Sequence, residues 1–334
     1  MKEKIKIIAE IAQGFEGKYE QSKLLIKAGA NAGADAVKFQ MVYADELATE
    51  DYQHYPLFKN LEFTDKQWKD LKDYADELGT EFIVDIFGET SLETAQKIGI
   101  KTIKVHGTDI SNLGLLNSIA EKKISDVILG VGGANWEEIK TAIKILKGKK
   151  LILLCGFQGY PTKTEDNHIS RMQLIYQKVL KIHQNFTVGF ADHPDDKKYN
   201  NTISITAVGA GAKVIEKHLT LGKIMQLEDF ESAINPDEFM HFVNQIRMAN
   251  KALGKTFDSP NFKMSKAEEK YRKNIRKHVV ANKNLVEGTI LSVQDLALKR
   301  TNNKNALKEL ELVINKIILK SVQKNSPILN SDIN

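Results

Sequence analysis

One cysteine, Cys155, is the whole thiol complement of this 334-residue chain. That excludes an internal disulfide and any multi-cysteine metal site. Long hydrophobic runs are also missing: no stretch approaches the ~20 apolar residues that cross a bilayer. Met1 leads straight into an amphipathic strand, so no secretory signal is expected. Charge of one sign is scarce too, with 48 basic against 43 acidic residues and a formal net charge of +5. The excess is spread along the chain, and the runs at 147–150 and 272–277 read as a solvated turn and part of a linker. The expectation is a soluble, cytoplasmic protein with no nucleic-acid or membrane partner. A glycine-rich dinucleotide loop after the first strand is lacking as well, which disfavours an open, doubly wound sheet.

What the chain has instead is alternation. Apolar strands are expected at 5–11, 36–39, 81–85, 102–105, 126–130, 151–154, 187–190 and 213–217. Amphipathic helices are expected between and after them, at 19–32, 65–78, 91–98, 113–121, 136–146, 172–182, 201–209 and 236–253. Thr64 reads as an N-cap, and Gly79 and Gly99 as helix stops. Eight strand–helix units in this length predict a (β/α)8 TIM barrel over residues 1–254. The second, sixth and eighth strand-to-helix loops are long, as loops that build a pocket tend to be. A polar linker is expected at 255–274, followed by a small β-rich domain at 275–334. Within that domain Leu285-Val286-Glu287-Gly288 with Asp295-Leu296 recurs as Val322-Gln323-Lys324-Asn325 with Asp332-Ile333. About 60 residues is marginal for an independent core, so the domain is expected to pack on a barrel, its own or a partner's.

The strand ends carry the chemistry. A parallel strand buried on both faces should be apolar throughout, yet Glu10, Lys38 with Gln40, Asp85, Lys104 with His106, His193 and Glu216-Lys217-His218 close or follow six of the eight strands. In a closed barrel all of them converge on one mouth, where barrel enzymes do chemistry. Two histidines with oxygen ligands or water suit an open divalent site, and two hydrogen-bonding histidines without metal are the alternative. Lys38 and Lys104, from separate strands, suit an anionic ligand such as a phosphate or carboxylate. A barrel lysine can also form a Schiff base, given a neighbouring cation that lowers its pKa.

Ile8-Ala9-Glu10-Ile11, the run 33–40, Tyr160-Pro161-Thr162, Ala191-Asp192-His193 and Glu216-Lys217-His218-Leu219-Thr220 together resemble the sialic acid synthase family. The segment from Val279-Val280-Ala281 to Leu298-Lys299-Arg300 resembles that family's antifreeze-like (SAF) domain. The resemblance covers nearly the whole chain in order. It implies condensation of phosphoenolpyruvate with an N-acylated hexosamine to a nine-carbon 2-keto-3-deoxy sugar acid. It further implies a divalent metal, Mn2+ or Mg2+, on His193 and His218, and Glu10 at the condensation centre. Lys38 and Lys104 would hold the phosphoenolpyruvate with Gln40 beside them, and Tyr160 and Asp229 would contact the acceptor. Arg300 would reach into the partner's barrel and grip the acyl group, in a domain-swapped homodimer.

The departures from the family pattern are specific. Asp85 stands where a threonine is usual, Gly107, Gly130 and Ala191 where serines are usual, and Gln158 where an asparagine precedes Tyr160. Thr108 and Asp109 are expected to compensate for the lost hydroxyls. A carboxylate at 85 would repel a phosphate unless a metal or lysine intervenes. Two alternatives accompany the synthase reading: a lysine-dependent aldolase acting on a pyruvate-like donor, and a non-catalytic sugar-acid-binding homologue.

Overall fold

The computed structural model describes residues 4–157, 159, 161–194, 201–254 and 263–334. Strands and helices alternate from the start: β1 (Lys6–Ala12), α1 (Tyr19–Asn31), β2 (Ala36–Gln40), then two short helices, α2 (Ala44–Leu47) and α3 (Tyr55–Asn60), inside the expected long loop. α4 (Asp65–Glu77), β3 (Glu81–Ile86), α5 (Glu89–Lys97), β4 (Thr102–Val105), α6 (Leu113–Glu121) and β5 (Asp126–Gly130) follow. The barrel portion continues with α7 (Trp136–Ile145), β6 (Lys150–Cys155), α8 (Arg171–Val179), β7 (Phe186–Asp192), α9 (Thr202–Gly209), β8 (Val214–His218) and α10 (Pro236–Leu253). The eight strands close into a barrel in chain order, each parallel to its neighbours, with β8 returning to β1. This is the expected TIM barrel.

Local chemistry sets the helix ends. Thr64 caps α4 through a reciprocal pair with Gln67, and Asn135 does the same for α7 with Glu138, satisfying N–H groups that have no partner within the helix. Gly79 and Gly99 take φ of +72° and +80° just past their helices, a conformation that favours glycine.

Period-two alternation divides the barrel residues between two cores. One set, including Phe39, Trp68 and Phe82, packs between strands and helices. The other set, Ile8, Ala36, Ile83, Ile128, Ile152, Leu154, Ala191 and Val214, forms a separate cluster that fills the barrel's interior. Two residues beyond Ile8, Ala36, Ile83 and Val214, towards the C-terminal end, stand Glu10, Lys38, Asp85 and Glu216, so the charged layer lies directly on an apolar floor.

The chain divides into two compact units, Met1–Phe257 and Asp258–Asn334. Part of the stretch read as linker is a helix: α11 (Lys266–Ile275) is capped by Ser265 and Glu268, and residues 255–262 lie outside the described ones. The second unit has its own core, with Val279, Leu291, Val313 and Ile328 fully buried, around β9 (His278–Ala281) and β10 (Leu296–Lys299), which pair antiparallel. The faint repeat is real in the backbone: Leu285 and Val322 exchange hydrogen bonds of 2.8 and 2.9 Å. Asp295 and Asp332 end matching 3-10 turns and pair with Lys283 and Lys320 at 2.6 and 2.8 Å.

Candidate active site

Five charged side chains from five strands meet at the barrel's C-terminal mouth. Lys38 Nζ is the hub: it contacts the Glu10 carboxylate, lies 2.7 Å from Asp85 Oδ1 and 3.6 Å from Glu216 Oε2. Lys104 Nζ donates to Glu216 Oε1 at 2.8 Å and sits 3.7 Å from Asp85 Oδ2. All five are buried. Ions taken from water need such pairing, because an isolated buried charge costs several kcal/mol. A β-bulge after Glu10, with Ala12 at φ 50°, lets the Ala12 N–H donate to Glu10 Oε1 at 2.8 Å and fixes that carboxyl from its own strand. Glu216 was visible as a strand end but had no assigned role; its parity with His218 is the signal that aims it inward.

Fully ionised, the cluster would hold three negative charges against two positive ones. The excess falls most heavily on Glu10: burial, with the Glu216 and Asp85 charges, outweighs Lys38 and Lys104 and pushes its carboxyl up to about 8. Glu216 also pays for burial, but Lys104 and Lys38 together hold it well below the usual carboxylate range. Burial works against a charged Lys38, yet Asp85, Glu10 and Glu216 raise it well above its ordinary value. The Schiff-base reading needed a neighbouring cation to depress a lysine; around Lys38 the structure places carboxylates instead. The Asp85 carboxylate, awkward beside a phosphate on sequence grounds, is covered by Lys38.

His193 and His218 stand across from each other at 5.3 Å between ring centroids. Burial holds His193 down to about 4 and His218 well below its ordinary value, the latter also through His193, so both imidazoles are neutral near pH 7. Among the described residues no group of three or more His, Cys, Asp or Glu side chains could hold a metal. A divalent ion on this pair alone would have to draw its remaining ligands from water and substrate oxygen.

Two hollows share His106 at this mouth. The inner one, of about 40 Å³, is walled by Lys104, His106, His193, Ala191 and the glycines at 107, 130, 132 and 156. Three of the glycines leave no room for a side chain: a Cβ on Gly130 would lie 2.9 Å from Gly107 N, one on Gly132 2.0 Å from Gly156 O, and one on Gly156 2.2 Å from Ala191 O. Serine at 130 would collide with backbone, which accounts for one lost hydroxyl. The outer hollow, of about 220 Å³, is lined by Gln13, Gln40, Leu47, Phe58, Phe87, His106, Thr108 and Asp229.

Three of the residues expected to bind substrate thus share the outer hollow: Gln40, Thr108 and Asp229. Gln13 Nε2 donates to Gln40 Oε1 at 2.7 Å. Asp229 holds φ of 65°, and burial, then Glu228 and Glu231, push its carboxyl up to about 6. Asp109 does not line either hollow; its Oδ2 accepts from Thr108 Oγ1 at 3.0 Å and so supports that side chain. Gln158 and Tyr160 lie outside the described residues. Arg300 belongs to the second unit, exposed just past β10.

Behind the mouth, parity sends Asp192 and Lys217 away from the barrel interior. Lys217 Nζ donates to Asp192 Oδ1 at 2.8 Å and to the Pro194 carbonyl at 3.3 Å, while Ser204 Oγ on α9 donates to Asp192 Oδ2. This buried clamp ties β7, β8 and α9 together and holds the backbone next to His193. Ser232 Oγ adds a 2.7 Å hydrogen bond to the His193 carbonyl.

A (β/α)8 barrel with charged, amide and imidazole groups converging at its C-terminal mouth defines the class: a barrel with its reactive groups where barrel enzymes carry them. The NeuB family pattern matches residues 25–258 and the SAF domain pattern residues 276–334; the chain belongs to the NeuB family. It is 31% identical to the N,N'-diacetyllegionaminic acid synthase of Campylobacter jejuni, covering 96% of this chain and 98% of that one. Against the enzyme of the same name from Legionella pneumophila it is 30% identical, covering 92% and 88%. The crystal structure of N-acetylneuraminic acid (sialic acid) synthetase from Leptospira borgpetersenii superposes with a TM-score of 0.74 at 29% identity, over 82% of this chain and 93% of that chain.

Proposed function

We propose that this protein is a carbon–carbon bond-forming synthase. It joins phosphoenolpyruvate to the aldehyde of an N-acylated hexosamine, releasing phosphate and a nine-carbon 2-keto-3-deoxy sugar acid. The observation that carries the reading is the convergence of Glu10, Lys38, Asp85, Lys104 and Glu216 beside His193 and His218. Full-length similarity to synthases of such acids supports it.

In this reading the two lysines receive the anionic donor, and glycine backbone N–H groups of the inner hollow take the part of side-chain hydroxyls. Carbon three of the enol attacks the aldehyde carbon. The oxygen of that aldehyde needs a proton, and Glu10, protonated at neutral pH, supplies it as a general acid. Water then adds at carbon two; as the C–O bond to phosphate breaks and the keto group forms, one water proton leaves with phosphate and the other restores Glu10. A manganese or magnesium ion, held by His193 and His218, supplies Lewis-acid polarisation of the aldehyde when bound. Gln40, Thr108 and Asp229 hold the acceptor, and Arg300 completes the site from the partner of a domain-swapped homodimer. A Schiff base at Lys38 is disfavoured because that lysine is held charged, whereas a Schiff base forms from the neutral amine.

The test is phosphate release from phosphoenolpyruvate with Mn2+ and a panel of N-acetylated hexosamines that includes 2,4-diacetamido sugars. Release that needs both substrates is expected, and silence across the panel overturns the reading.

A further inference from the structure

Helix α5 has no cap of its own. Its N-cap residue is Gly88, in extended backbone, and glycine has no side chain to receive the N–H groups of the first turn. Half of a capping box is present all the same: Ser91, at the third helical position, accepts from the Gly88 N–H through Oγ at 3.0 Å. The other half comes from 45 residues earlier in the chain. The Glu46 carboxylate, on α2, accepts from the Thr90 N–H and from the Ser91 N–H at 3.2 Å, and lies 3.1 Å from Ser91 Oγ. It stands where a cap side chain would. The three atoms nearest a Cβ built on Gly88 are the carboxyl carbon and both oxygens of Glu46, at 2.5, 2.8 and 2.8 Å. A carboxylate at a helix N-terminus also gains from the helix dipole.

This contact joins two segments of the mouth. Leu47 follows Glu46 directly and Phe87 precedes Gly88 directly, and both line the outer hollow. Helix α2 is only four residues long, too short to be stable without docking. Asp45 ties it to α3, accepting from Tyr55 Oη and lying 3.5 Å from Lys59 Nζ. The Asp45 and Lys59 side chains are 74% and 51% exposed, and ion pairs in water contribute little. Glu46 is half-buried and takes N–H groups that have no partner within their own helix. Tyr43 Oη and Thr94 Oγ1 meet at 3.1 Å about one turn further along α5, so the segment follows that helix and Glu46 is the tie nearest Leu47.

Resting on the synthase reading for its effect on turnover, we infer that Glu46 is a positioning residue. By capping α5 from α2 it docks the long loop after β2 on the start of α5, and so holds Leu47 and Phe87 in the lining of the outer hollow before substrate arrives. A site that is correctly formed only part of the time binds more weakly in proportion. A loss confined to binding raises KM and leaves kcat.

Two variants test this. Glu46→Ala removes the cap and the tie together. Glu46→Ala with Gly88→Asp gives α5 a cap of its own, aspartate being among the best N-cap residues, but leaves α2 untied. The readouts are melting temperature, backbone hydrogen exchange over residues 41–63, and kinetics of phosphate release with Mn2+ and the sugar acceptor that turns over. Glu46→Ala should raise the acceptor KM and speed exchange about tenfold each, with kcat and the phosphoenolpyruvate KM within about twofold of wild type. The double variant should regain the melting temperature yet keep the raised KM and the fast exchange. An acceptor KM or an exchange rate near wild type in Glu46→Ala overturns the inference. So does recovery of both in the double variant, which would leave Glu46 as a helix cap alone. If Glu46→Ala does not fold, the double variant is compared with wild type in its place. Wild type that releases no phosphate removes the synthase reading instead; hydrogen exchange needs no substrate and then decides on Glu46 by the same comparison.

Discussion

At the residue scale the site turns on where one proton sits. Three buried carboxylates face two ammoniums, and burial, with Glu216 and Asp85 beside it, pushes the Glu10 carboxyl up to about 8, which in the proposed reaction makes it the group that carries the excess proton. A group whose acid form is needed loses function as pH rises through its pKa. Turnover should therefore fall above about pH 8, and a kcat–pH profile flat to well beyond that point would remove Glu10 as the acid. Glu10→Gln keeps the shape and a hydrogen-bond donor but cannot transfer a proton. It should slow phosphate release by about 10²–10⁴-fold and lose the alkaline limb. Asp85 acts on the same balance from the other side. Asp85→Asn leaves two carboxylates for two lysines, so Glu10 no longer needs to carry a proton and the alkaline limb should move to lower pH. An unmoved limb would mean that Asp85 serves packing alone.

At the scale of elements, the clamp between β7, β8 and α9 makes a separate claim. Lys217→Met strands the buried Asp192 carboxylate and should cost about 3–5 kcal/mol in denaturant unfolding. Lys217→Met combined with Asp192→Leu removes both charges and should recover most of that loss. If the double variant is as damaged as the single, Lys217 matters for something other than this pair. The clamp also shows what the sequence could tell. Glu216-Lys217-His218 was readable as a polar strand end, and parity alone assigns Glu216 and His218 to the mouth and Lys217 to the helix side. Glu216 meeting Lys38 and Lys104 depends on barrel closure, which joins strands distant in sequence, so no local pattern displays it. Helices such as α4 and α10 were legible because their apolar period runs for several turns between clear caps. Helices α2 and α3 were not, because four and six residues hold too little periodicity. The capping pair at Ser265 and Glu268 was present in the sequence, but the polarity of the segment read as linker outweighed it.

At the scale of the whole molecule, the second unit needs a reason to accompany the barrel. It has its own core and a repeated backbone pattern, and it carries Arg300 exposed just past β10. In the proposed domain-swapped homodimer each barrel borrows Arg300 from its partner, so two defects in different chains should complement. Glu10→Gln spoils a barrel but leaves its chain able to lend an arginine. Arg300→Ala leaves a sound barrel with nothing to lend. Each variant alone should release little phosphate. Co-expressed in equal amounts and paired at random, half of the dimers are mixed, and each mixed dimer has one complete site. Activity should therefore return to roughly a quarter of wild type. If Arg300 served the barrel of its own chain, no mixture could assemble a complete site and activity would stay at the average of the two parents. Size-exclusion chromatography with light scattering on the same samples establishes that dimers formed, so an absent rescue would count against the swap itself.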